Sequence, residues 1–132
     1  MTGYQKYRGV QVEGASPLGL VLLTYDALIK SLALAKMAAD TNDMAAEAHH
    51  LSRALEALME LATSLNMEAG GKIATSLASL YAYMSRRILE GQGADISAAI
   101  DEVLSLASSL RDSWQELADA ETGRGKLRQV AG

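Results

Sequence analysis

Ser16-Pro17-Leu18-Gly19-Leu20-Val21-Leu22-Leu23-Thr24-Tyr25-Asp26-Ala27-Leu28-Ile29 reads as the opening of a helix. Ser16 is a hydroxyl N-cap, and the fixed φ of Pro17 suits the first helical position, where its missing N–H costs no hydrogen bond. From Leu18 the pattern continues without a break to about Ala39, and Asp40-Thr41-Asn42-Asp43 then supplies turn and capping chemistry. Leu18, Leu20, Val21, Leu22 and Leu23 cover nearly every direction around two turns. A bundle core needs only one apolar stripe, so this helix must be covered on a second side as well. The candidates are the N-terminal segment, a twin subunit or a client chain, and apolar area of this kind marks an interface.

Working outward, a second helix is expected from about Asp43 to Leu65, with Leu51, Leu55, Leu58, Ala62 and Leu65 on one stripe and Arg53, Glu56 and Glu60 off it. Gly70-Gly71 places a break at or just before Gly70. A third helix then runs from about Gly71 to Glu90, with Ile73, Leu77, Leu80 or Tyr81, Met84 and Ile88 on its core stripe and Arg86 and Arg87 at the negative end of its dipole. Gly91-Gln92-Gly93 ends it, and Asp95 caps a fourth helix whose stripe is Ile96, Ile100, Val103, Ala107, Leu110, Trp114 and Leu117. Four amphipathic helices with short links predict an all-α fold, an antiparallel four-helix bundle. The expected organisation is an N-terminal cap segment over 1–15, the bundle over 16–119 and a frayed tail over 120–132.

Composition agrees. A chain of 132 residues fits one domain. Apolar residues reach 49% with aromatics at 5% and no Phe, so the core must come from Leu, Ala, Ile, Val and Met. Sixteen acidic against 12 basic side chains give −4, which repels phosphates and argues against nucleic acid. The absence of Cys removes thiolate chemistry and suits a reducing compartment, the cytoplasm being the simplest. The N-terminus lacks the apolar core of a secretory signal, and no membrane-spanning segment is expected.

Catalytic chemistry finds little to build on. A di-iron carboxylate bundle needs two Glu-x-x-His pairs and further inward glutamates, whereas Glu47-Ala48-His49-His50 offers one such spacing in a chain of two histidines. Adjacent histidines on a helix diverge by about 100°, so both read as a solvated face. No serine is placed with a base and an orienting acid, and the paired glycines lack the strand-to-helix setting of a phosphate loop. No catalytic residue, metal site or cofactor is therefore expected. The charges of Arg86-Arg87 and Asp101-Glu102 read as solvated. Asp26, beside Tyr25 in an apolar helix, either finds a backbone or hydroxyl partner or meets a binding partner. Ala74, Ala78, Ala82 and Ser85 permit close approach of another backbone, either within the bundle or from an added helix.

Five ordered pieces carry a resemblance. They are Tyr4-x-x-Tyr7; Ala15-Ser16-Pro17-x-x-Leu20-Val21-x-Leu23-x-Tyr25-Asp26-x-x-Ile29; Ser64-Leu65-Asn66-Met67-Glu68-x-Gly70-Gly71-x-Ile73-Ala74; Leu80-Tyr81-x-Tyr83-Met84-x-x-Arg87; and Leu110-Arg111-x-x-Trp114. Together they resemble the flagellin export chaperone FliS family over about residues 4–118. Gly19, Ala27 and Gly91-Gln92 depart from the family pattern at helix ends. The resemblance implies a cytoplasmic bundle that binds the disordered C-terminal segment of flagellin, prevents premature polymerisation and delivers it to a component of the flagellar export gate. It further implies partner contacts at Tyr4, Tyr7, Val10, Val12, Leu22, Tyr25, Asp26, Ile29, Tyr81 and Tyr83, the first four gating the groove. Tyr7→Ala or Tyr25→Ala is then expected to change client affinity more than melting temperature. A clientless bundle that buries its first helix in a homodimer is the competing expectation.

Overall fold

The structure, a computed structural model, describes residues 17–91, 93 and 95–131, with 122–131 described for the backbone only. Four helices occupy almost all of it: α1 (Pro17–Asp40), α2 (Met44–Thr63), α3 (Met67–Glu90) and α4 (Ile96–Ala131). Each packs on its neighbours in sequence and α4 closes on α1, so α1 and α3 face each other across a diagonal. The backbones of α1 and α2 approach most closely, and α3 stands further from both of its neighbours. The expected cap segment 1–15 and the Ser16 N-cap lie outside the described residues.

The core follows the helical period. Tyr25, Leu28, Leu32 and Ala35 line α1, and Leu51, Ala54, Leu58 and Leu61 line α2. Ala74, Tyr81, Met84 and Ile88 line α3, and Ile96, Ala99, Ile100, Val103 and Ala107 line α4. Burying one such Leu or Ile contributes roughly 1.5–3 kcal/mol, so these stripes supply the main drive for folding. Two expectations about this core change. Met84 is the only described methionine inside, and the largest fully buried side chains are Tyr25 and Tyr81. Ile73, expected on the α3 stripe, is 73% exposed, and its neighbour Ala74 takes the inward position.

The α1–α2 corner shows why its sequence turns. The N–H of Asp43 donates to the Ala38 carbonyl and that of Asn42 to Ala39, which is a Schellman motif. Asn42 occupies its left-handed position at φ 58°, which Asn tolerates better than most residues. Asp43 then accepts from the Ala46 N–H at 3.1 Å and caps α2. The second corner departs from expectation. Thr63 ends α2, leaving Leu65 in the turn, and Asn66 caps a helical turn by accepting from the Ala69 N–H at 2.9 Å. The break falls at Gly71, φ 50° and ψ −125°, a conformation glycine adopts without the steric penalty of a Cβ. The cap at Asn66 is what moves the start of α3 forward by a turn.

At the third corner Asp95 lies directly before α4, and its carboxylate, expected to cap that helix, accepts from Arg87 at 3.1 Å. The fourth helix also runs past the expected boundary at 119, to Ala131. Lys, Leu, Arg, Gln and Ala after Gly125 are all compatible with helix, and they outnumber the glycines at 123 and 125. One further correction concerns the membrane: Pro17–Asp40 is long and apolar enough to cross one by length and composition. Tyr25, Leu28, Leu32 and Ala35 of that helix are instead buried against the other three, as a bundle's core helix requires.

Candidate partner-binding surface

At the centre of the bundle three polar atoms meet on an otherwise apolar axis. The Tyr25 and Tyr81 hydroxyls lie 2.6 Å apart across the diagonal, and the Trp114 Nε1–H donates to the Tyr25 hydroxyl at 3.2 Å. Tyr25 is 0% and Tyr81 2% exposed. Burial, reinforced by the Tyr81 hydroxyl, pushes the Tyr25 phenol well above its ordinary range, and burial raises Tyr81 as well. Both tyrosines are thus structural groups, and neither presents a ring to an incoming chain. That corrects the expectation of direct contact at these two positions. The sequence left Leu80 and Tyr81 open as core residues, and the diagonal hydrogen bond shows why the tyrosine is inside.

Charged side chains expected to be solvated instead clasp the helices. Arg87 donates from Nε to Glu102 at 2.7 Å, and Glu102 also accepts from the Tyr83 hydroxyl, joining α3 to α4. The Tyr83 hydrogen bond, followed by that from Arg87, holds the Glu102 carboxyl below the usual carboxylate range. The Tyr83 hydroxyl donates to that carboxylate, which raises its own titration. Lys36 of α1 pairs with Asp101 of α4. Asp26 pairs with Arg111 at 2.5 Å, which is neither the backbone nor the hydroxyl partner expected. The carboxylate raises the Arg111 guanidinium further. Sequence spacing carries no sign of this pair, because the two residues are 85 positions apart.

What remains for a partner is apolar surface. On α1, Leu18, Leu20, Val21, Leu22, Leu23 and Ile29 are all half-buried. Leu23 lies on the side away from the Tyr25 stripe by the helical period, Leu20 is in line with buried Thr24 and Ala38, and Leu22 and Ile29 flank the stripe beside Asp26. On α3 a shallow depression of about 300 Å³ is lined by Lys72, Ile73, Ser76, Leu77 and Leu80. Tyr83 is exposed on the same helix, at 38%. Sequence reading missed the methionines: Met37, Met44, Met59 and Met67 are exposed, Met44 at 79%. Their unbranched, polarisable side chains adapt to varied partners. Of the small residues on α3, Ala74 is buried, Ala78 and Ser85 half-buried and Ala82 exposed, so the row serves the bundle at one end only.

No cluster of three or more His, Cys, Asp or Glu side chains able to hold a metal occurs among the described residues. His49 and His50 meet edge to face, with ring centroids 5.2 Å apart, on the outer surface of α2. Tyr4, Tyr7, Val10 and Val12 lie outside the described residues.

Comparison with known proteins gives this surface its context. The family described as flagellar protein FliS matches residues 1–121. The flagellar secretion chaperone FliS of Salmonella typhimurium is 33% identical over 121 residues, covering 88% of this chain and 90% of that protein. Proteins of the same name from Escherichia coli and Bacillus subtilis are 29% identical over 119 residues and 27% over 118. They cover 86% and 89% of this chain, and 88% and 87% of those proteins, respectively.

Proposed function

The chain belongs to the flagellar protein FliS family and is a flagellar secretion chaperone, and on that premise we propose that its client is flagellin, held by the disordered C-terminal segment. The observation that carries the proposal is the half-exposed apolar face of α1, which the bundle core does not consume. A segment wrapped over shallow apolar surface gains affinity from many weak contacts and pays an ordering cost, which favours reversible release. Sequestering that segment prevents premature polymerisation and needs no catalysis. The complex then delivers flagellin in the cytoplasm to a component of the export gate.

Individual residues divide by their position. Leu22, Ile29 and Tyr83 contact the client directly, together with Leu20, Leu23 and the depression beside Ile73. Tyr25 and Tyr81 act from inside, by fixing how far α1 and α3 stand apart and hence the shape of the surface. The Asp26 carboxylate holds α4 through Arg111 and borders the Leu22 flank. Tyr4, Tyr7, Val10 and Val12 gate the groove and leave it when the client arrives. Co-expression with the cognate flagellin should yield a soluble equimolar complex. Aggregated flagellin beside free chaperone would contradict the proposal.

A further inference from the structure

Methionine is the side chain that two-electron oxidants reach most readily in this protein. There is no Cys, whose thiolate such oxidants attack first, and there are six Met. Five of the six lie among the described residues, and burial divides them. Met84 is 0% exposed inside the bundle, whereas Met37, Met44, Met59 and Met67 are 64%, 79%, 69% and 49% exposed. Methionine ordinarily fills gaps in a core, and here one sulfur does so while four stand in water.

The four exposed sulfurs share helices with the apolar surface that the core leaves over. Met37 lies about four turns beyond Leu23 on α1 and within about 40° of it on the outer face, with half-buried Leu34 between them along the helix. Met44 opens α2 and Met59 stands near its end, about 60° further round the helix. Met67 opens α3, the helix that carries the depression beside Ile73. No methionine lies on α4. The buried stripes run through other positions, so a change at these four sulfurs leaves the core packing intact.

We propose that Met37, Met44, Met59 and Met67 are reversible oxidation sites, at which hydrogen peroxide weakens the hold on the client without unfolding the bundle. The thioether sulfur attacks one peroxide oxygen, and the S–O bond forms as the O–O bond breaks. The departing hydroxide takes the proton left on the transferred oxygen and leaves as water. Sulfur loses two electrons and the peroxide gains them, so each sulfoxide consumes one peroxide and no other reactant. The sulfoxide is polar where the thioether was apolar, and its oxygen is better solvated by water than by an apolar client side chain. Methionine sulfoxide reductases reverse the step, one enzyme for each epimer. The effect on the client rests on the client surface proposed above.

The test treats the full chain with hydrogen peroxide, removes the excess with catalase, and combines peptide mass mapping with isothermal titration against the C-terminal segment of the cognate flagellin. Sulfoxide should appear at Met37, Met44, Met59 and Met67 at least about tenfold faster than at Met84, with the helical circular dichroism spectrum unchanged. Client affinity should then fall at least about fivefold and return after treatment with both reductases. A variant carrying Met37→Leu, Met44→Leu, Met59→Leu and Met67→Leu should bind as the untreated parent does and keep that affinity after peroxide. Met84 oxidised as fast as the exposed four, an oxidised chain that binds as tightly as before, or a leucine variant that still loses affinity overturns the proposal. An untreated chain that binds no segment contradicts the flagellin reading and with it the effect on the client, while the order of oxidation is read without any client.

Discussion

The Tyr25 hydroxyl holds two partners at once, Tyr81 across the diagonal and the Trp114 indole N–H from α4. Replacing it with phenylalanine keeps the ring and removes the hydroxyl that both groups share. Tyr25→Phe should therefore cost about 1–2 kcal/mol and lower the melting temperature by on the order of 5 °C, with little change in client affinity. A shift in affinity without loss of stability would instead place Tyr25 on the surface. Titration provides a second check. Both phenols titrate higher folded than unfolded, so their contribution is complete below pH 10 and is lost as pH rises beyond it. Denaturant midpoints should accordingly fall above pH 10, and fall less in the Phe variant. Tyr25 and Tyr81 stood out in the sequence as motif residues. Their side of the bundle did not, because adjacent helical positions differ by about 100° and apolar neighbours occupy both sides.

Among the elements, the corners were legible where one residue makes its own local bond and illegible where tertiary pairing decides. Asp43 was readable as a cap. Replacing it with alanine should destabilise the bundle by about 1 kcal/mol, seen as a lower denaturant midpoint with an unchanged slope. The paired glycines signalled a break, but only the observed φ of 50° singles out Gly71. Gly71→Ala should destabilise by about 1–2 kcal/mol, because a Cβ is strained in that conformation whatever the surrounding space. At the far end of α3, the clasp of Tyr83, Arg87 and Glu102 was hidden because its residues look like ordinary surface charges in sequence. The Glu102 carboxyl titrates lower folded than its ordinary 4.5, so its contribution is present above that value and is lost as pH falls below it. Thermal unfolding followed from pH 6 to pH 3 should show a smaller acid loss in Glu102→Gln than in the parent chain.

For the whole molecule, the all-α bundle was legible because each helix carries an apolar stripe and the links between them are short. Its diagonal and its loosely approached third helix were not, since helix order around a bundle depends on how far each pair can close. Small residues such as Ala54 and Ala57 on α2 are buried, and α1 and α2 approach closely. The exposed apolar surface divides in the same way. Excess apolar character marked α1, whereas the exposed methionines read as core until the structure placed them outside. Leu23→Ser should weaken client binding severalfold while lowering the melting temperature little, since Leu23 lies opposite the buried stripe. Isothermal titration of the full chain with the C-terminal segment of its cognate flagellin tests the central claim most directly. The account predicts saturable one-to-one binding at micromolar concentration or tighter, with a negative heat-capacity change from apolar burial. No heat and no complex with that segment at about 100 µM would contradict it.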